Sequence, residues 1–240
     1  MFASIVIPCH GRIASLRRAL ASVDRACDEL GEPTEILLVD DASPDPVELA
    51  LGTEAVSKRV RFLRMSENRG PATARNAGVR AARGEIILFT DDDVVVHERW
   101  AHALAVYLRD APARVAGVGG RTLALGDDVF SRYYEYHHIL DPFVMDDGRV
   151  LYLTTCNCAY RRGVLEEVGG FDQDVRQAGG EDPGLSFKVL ATGRELHVCE
   201  DAVVWHDFRH GVRDFARTFH RYGSGCRHQA ERHWKTEKSG

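Results

Sequence analysis

EIILFTDDDVVV, residues 85–96, joins a short apolar run to three adjacent carboxylates, Asp91, Asp92 and Asp93. The run EIILFT (85–90) is nearly continuous in apolar residues, as a strand must be when both faces of a parallel sheet are covered. Three neighbouring negative charges repel one another unless a cation or solvent lies among them. An acidic turn capping the next helix is one reading of DDD, and a cation site is the other. Side chains alternate along extended chain, so Asp91 and Asp93 are expected to point one way and Asp92 the other. Two carboxylates on one side suit a hard divalent cation that completes its shell with water or substrate phosphate.

Outward from this strand, SIVIPC (4–9), EILLVDD (35–41) and RVRFLRM (59–65) have the same character, and helical periods near 13–30, 45–57, 71–82 and 97–110 separate the four. Such alternation predicts an α/β fold, a Rossmann-like, mostly parallel central sheet flanked by helices. Ligands of these sheets bind beyond the C-terminal ends of the strands, which here read PCHGR, DDASPD, SENRG and TDDD. The second half is less regular. VAGVGGRTLAL (115–125), RVLYLTTCNCAYRR (149–162) and ELHVCEDAVVWH (195–206) read as strands, with short helices over GVLEEVGGFD and EDPGLSFKVLATG.

The 240 residues are 44% hydrophobic and 28% charged, ordinary for one large globular domain, and no run approaches the ~20 apolar residues that span a bilayer. MFASIVIPCHGR reads as a first core strand and not as a signal peptide, so a cytoplasmic location is expected. The six cysteines form no CxxC pair and read as reduced, mostly buried thiols. A net charge of −5 argues against nucleic acid as a partner. The charge is uneven: Trp205–Gly240 holds eight Lys/Arg against four Asp/Glu.

Several strand ends carry chemistry. Asp40 and Asp41 follow a buried strand, where a carboxylate either hydrogen-bonds a ribose or base or caps the next helix. In ENRGPATARNAG (67–78), a turn at Asn68-Arg69-Gly70 precedes Pro71 at a first helical position. The helix N-terminus and Arg75 there suit phosphate or a nucleobase. No GxGxxG, GxxxxGK[ST] or GxSxG is present, which disfavours dinucleotide enzymes, P-loop enzymes and α/β-hydrolases.

Taken in order, VIPCHGR, VDDASPD, ENRGPATARNAG, FTDDDVVV, TTCNCAYRRGVLEEVGGFD and GGEDPGLSFKV resemble the family 2 glycosyltransferases of the GT-A fold over about residues 3 to 206. The resemblance implies an inverting transferase that takes a sugar from a nucleoside diphosphate donor, with a UDP-sugar favoured and Mn²⁺ or Mg²⁺ as cofactor. Carried over by motif, it makes Asp40 and Asp41 a nucleoside-binding pair with Pro8, Asn68 and Arg75 nearby. Asp91 and Asp93 become a DxD motif, Asp91 toward the ribose and Asp93 on the metal, with Asp92 able to substitute. Asp182 matches the general base, with Glu181 beside it, and His206 is a candidate third metal ligand. Without the resemblance, Asp182 before Pro183 reads as an N-cap. His10-Gly11 replaces the family's aromatic-Asn pair, and Pro183-Gly184 and Lys188 replace its acidic and Arg residues after ED.

A GT-A domain over residues 1–206 and a basic amphipathic helical tail over 207–240 are the expected division. In the tail, Val212, Phe215, Phe219 and Tyr222 recur at helical spacing beside Arg209, Arg213, Arg217 and Arg221. It reads as a docked helix, as a lid over the donor diphosphate, or as a contact with an anionic membrane surface. GSGC (223–226) is expected to end or hinge this helix. DDVFSRYYEYHHILDPF borders an acceptor pocket or forms an aromatic core helix. The rival functions are a nucleotidyltransferase, disfavoured by the lack of a Gly-rich, Lys-bearing first loop, and a non-catalytic nucleotide-sugar binding module.

Overall fold

In the computed structural model, residues 1–52, 56–175, 179–208 and 211–237 are described. The first half alternates β1 (Ala3–Cys9), α1 (Ile13–Leu30), β2 (Thr34–Asp40), α2 (Val47–Leu51), β3 (Val60–Arg64), α3 (Pro71–Ala81) and β4 (Ile86–Phe89). The expected helix over 45–57 is only α2, and residues 53–55 lie outside the described set.

Continuous apolar strands with period-two alternation feed two cores, one on each side of the sheet. Ile5, Ile7, Ile36, Leu38 and Leu88 face one side, where α1 presents Leu16, Leu20, Val23 and Leu30. Val6, Leu37, Val39, Ile87 and Phe89 face the other, against Ala74 and Val79 of α3. Helix α1 stops at Gly31, whose left-handed backbone returns its N–H to the Cys27 carbonyl.

The chain continues through β5 (Val94–Val96), α4 (Trp100–Asp110), β6 (Val115–Ala124), α5 (Val129–Tyr136), β7 (Phe143–Val144), β8 (Val150–Tyr152), β9 (Cys158–Arg161), α6 (Arg162–Glu167), α7 (Glu181–Leu190), β10 (Glu195–His206) and α8 (Val212–Glu237). Among the described residues, eight strands form one sheet in the order β3-β2-β1-β4-β9-β6-β10-β5, and β7 pairs with β8 apart from it. Strands β3, β2, β1 and β4 are parallel, as is β6 to β10, whereas β9 and β5 run antiparallel to their neighbours.

Two expectations are corrected here. Residues 149–162 are not one strand: β8 belongs to the small hairpin and β9 to the main sheet, separated by a loop that buries Thr154, Thr155 and Asn157. Asn157 accepts from Trp100 Nε1 at 2.9 Å and donates to the Arg121 and Ala202 carbonyls, so its amide satisfies groups of α4 and β6 and of the chain within β10. Residues 91–93 are not extended but turn between β4 and β5, which crosses to the far edge of the sheet.

GSGC does not end α8 either. The helix runs through it, and Gly225 lies against the backbone of Gly179 and Gly180, where a Cβ would collide with the Gly179 carbonyl oxygen. Phe215 and Phe219 of α8 pack on Tyr133 and Tyr134 of α5, so the RYYEY stretch is an aromatic contact for the tail. Arg209 lies outside the described residues. No described helix is long and apolar enough to cross a membrane.

Candidate active site

Chain order reverses between β1 and β4, which lie side by side although β2 and β3 intervene in sequence. At such a reversal the loops leave in opposite directions and open a crevice beyond the strand ends. A cleft of about 470 Å³ lies there, lined by Pro8, Cys9, His10 and Arg12 after β1, Asp41 after β2, and Asp91 and Asp92 after β4. Asn68, Gly70, Pro71, Ala74 and Arg75 line it from the start of α3, and Arg221 reaches it from α8. A larger cleft of about 1000 Å³, around Tyr107, Tyr152 and His197, contains none of the strand-end carboxylates.

The β5–β10 ladder decides the fate of DDD. Val94 pairs with His206, and Asp207 donates its backbone N–H to the Asp93 carbonyl at 2.8 Å, so Asp93 sits beside His206. Asp91, Asp93 and His206 each bring a donor atom within 4.8 Å of the others. His206 Nε2 is 3.6 Å from Asp93 Oδ1, and its buried Nδ1 has no hydrogen-bond partner. Two carboxylates and an imidazole are a suitable set for Mn²⁺, and the carboxylates alone would suit Mg²⁺. Asp91 and Asp93 therefore converge as alternation suggests, although a turn brings them together.

Asp92 is buried and takes the Arg12 guanidinium on both of its oxygens, while a third nitrogen of Arg12 reaches Asp93. Burial, Asp93 and Asp91 push Asp92 up to about 7 against the pull of Arg12. Burial also raises Asp93, but His206 and Arg12 outweigh it and hold that carboxyl below its ordinary value.

Asp40 and Asp41 divide. Asp40 is not in the cleft lining: it accepts from the Ser43 N–H at 2.8 Å and the Val47 N–H at 3.3 Å and pairs with Arg64, so it braces the loop into α2. The backbone donors of 43–47 lie within reach of its short side chain, so of the pair expected to bind the nucleoside Asp40 serves the loop while its neighbour faces the cleft. Asp41 lines the cleft and holds the Asn68-Arg69-Gly70 turn by accepting from the Arg69 and Gly70 N–H groups at 2.9 and 2.8 Å. His10 is tied to the Asp41 carbonyl at 2.9 Å and neighbours the exposed Asn68 amide.

Arg75 is buried at the centre, 2.7 Å from Asp91 and 3.2 Å from Glu181. Glu181 is buried too, its second oxygen taking the Gly179 N–H at 2.6 Å. Asp182 is not the N-cap: Gly180 holds that position and α7 starts at Glu181, which leaves the Asp182 carboxylate free for another donor. Thr155 supplies it, giving its hydroxyl to one oxygen at 2.8 Å and its backbone N–H to the other at 3.1 Å. Burial and the neighbouring Glu181 push Asp182 up to about 7, with Arg75 and Thr155 opposing.

Arg12 and Thr155 carry no role in the sequence reading although both lie within its motifs, PCHGR and TTCNC. An arginine directly after a first strand that ends near acidic loops was the available signal for Arg12. Thr155 had none, since its partner is 27 residues away.

Residues 4–169 match the family described as Glycosyl transferase family 2. The chain is 27% identical over 237 residues to a pre-mycofactocin glycosyltransferase of Mycobacterium tuberculosis, covering 96% of this chain and 48% of that protein. It is 26% identical to a validoxylamine A glucosyltransferase of Streptomyces hygroscopicus, covering 83% and 54%. The chain thus spans about half the length of these curated relatives. A mannosyltransferase of Pyrobaculum calidifontis, solved in complex with GDP-Man and Mn²⁺, superposes with a TM-score of 0.72 at 20% identity, covering 97% of this chain and 64% of that one. TarS of S. aureus in complex with UDP-GlcNAc has a TM-score of 0.65 at 17% identity, covering 89% and 60%.

Proposed function

The chain belongs to glycosyl transferase family 2, and from that premise we propose that it is an inverting transferase, moving a sugar from a nucleoside diphosphate donor to an acceptor hydroxyl with Asp182 as general base. The observation that carries this reading is the convergence of Asp93 and His206 on Asp91, which lines the cleft and is linked through Arg75 to the helix start that bears Asp182. Two GT-A neighbours hold GDP-Man with Mn²⁺ and UDP-GlcNAc, which supports a nucleoside diphosphate sugar as the donor class.

In this reading the nucleoside lies along Pro8, His10, Asp41 and Asn68, and the diphosphate lies toward Asp91, Asp93 and the guanidinium groups of the cleft. A divalent cation held by Asp91, Asp93 and His206 would neutralise the charge that grows on the departing diphosphate. Asp182 takes the proton of the acceptor hydroxyl as that oxygen bonds to the anomeric carbon and the bond from that carbon to the diphosphate breaks. An ionisation near pH 7 keeps a useful ionised fraction while making the carboxylate a better proton acceptor than one of ordinary acidity. Thr155 fixes the orientation of Asp182, and Glu181 holds Arg75 in place.

The test is nucleoside diphosphate release from a panel of UDP-, GDP- and TDP-sugars with Mn²⁺, in the original chain and in Asp182→Asn. The variant is expected to lose at least about a hundredfold in turnover while keeping donor affinity. Full turnover in Asp182→Asn would exclude it as the base.

A further inference from the structure

The two carboxylates of the candidate metal site each hold a guanidinium, but the two arginines differ in freedom. Arg75, on Asp91, is 4% exposed and tied to Glu181, whereas Arg12, on Asp93, is 42% exposed. The anchor of Arg12 is Asp92, which takes a two-pronged contact and leaves one nitrogen to bridge to Asp93. Asp92 is therefore not a spare metal ligand. It holds a cation against a carboxylate that the metal also needs.

We propose that Arg12 couples metal binding to diphosphate binding: it opposes the divalent ion when the ion binds alone, and joins it in holding the diphosphate when both are present. This rests on the metal-dependent transfer proposed above. A +1 charge tethered beside a +2 ion repels it, and even in a water-like dielectric the effect at about 5 Å is roughly tenfold or more in affinity. Arg12 lines the cleft after β1, so an incoming diphosphate meets the guanidinium and the ion together and converts their repulsion into shared attraction. Exposure lets Arg12 leave Asp93 while Asp92 keeps its charge close by.

Mn²⁺ binding to the whole chain, followed by the electron paramagnetic resonance signal of the free ion, tests this without turnover. In Arg12→Met, Mn²⁺ alone is expected to bind about tenfold or more tightly than in the original chain, and the further gain on adding UDP or GDP is expected to shrink. Arg12→Lys, which keeps the charge, is expected to stay near the original Mn²⁺ affinity. Unchanged or weaker Mn²⁺ binding in Arg12→Met, in a protein that melts cooperatively, overturns the coupling and leaves the proposed transfer standing. If Asp93→Asn binds Mn²⁺ as the original chain does, or if no protein binds it with or without nucleotide, the metal assignment fails and the coupling with it.

Discussion

A carboxylic acid that titrates near pH 7 is only half ionised where most carboxylates are fully charged, and Asp182 reaches that state because burial and Glu181 outweigh Arg75 and Thr155. If it is the base, the acid limb of the turnover profile should fall near pH 7 and vanish in Asp182→Asn. Thr155→Val removes a hydrogen bond to the charged form and should move that limb upward by about one unit. Stability has the opposite sense. The folded protein binds this proton more tightly than the unfolded chain does, so the group's contribution is full at low pH and declines as pH rises from 3.8 to about 7. The melting temperature of Asp182→Asn should accordingly drop less between pH 5 and pH 8 than that of the original chain. The acidic strand ends were visible in the sequence, but the division of labour among them was not. Asp40 and Asp41 are neighbours of the same type, yet one braces a loop and the other lines the cleft, because only the fold decides which backbone N–H groups each can reach.

Elements that meet far along the chain hold the site in shape. The β8–β9 loop buries Asn157, whose three hydrogen bonds to Trp100, Arg121 and Ala202 stand where two halves of the sheet meet. Asn157→Leu would remove all three of these buried hydrogen bonds, and should cost about 3 kcal/mol or more in denaturant unfolding. Helix α8 depends on close backbone approach. Gly225→Val should push it off the Gly179–Gly180 turn, exposing α8 to limited proteolysis and displacing Arg221 from the cleft. Glycine in a helical pattern points to an end or a hinge because its entropy and missing side chain weaken a helix. The contact with residues 179–180 is a second reason for glycine that local pattern does not display.

For the whole molecule, the cleft gathers charge from the ends of β1, β2 and β4 and from helices α3 and α8, so ligand binding should stabilise the fold globally. A nucleoside diphosphate with Mn²⁺, each at about a hundred times its dissociation constant, should add roughly 2.7 kcal/mol per ligand. Together they should raise the melting temperature by several degrees, more than the two separate shifts combined, and chelation of the metal should reverse most of the gain. The sequence by itself determined the strands β1 to β4, the helices α1, α3 and α4, and the edge of the sheet where polar residues collect. Those features follow from apolar periodicity and turn residues within a few positions of one another. Only the tertiary structure decided that Asp93 meets His206, that Arg12 sits on Asp92, and that Arg75 joins Asp91 to Glu181. Apart from Arg75 and Asp91, which are 16 residues apart, those partners are separated by 80 to 113 residues, and an antiparallel β5 at the edge beside β10 and a β1 next to β4 bring Asp93 to His206 and Arg12 to Asp92. Strand order of that kind is set by how the whole sheet covers its two cores, a long-range condition that no local stretch of sequence expresses.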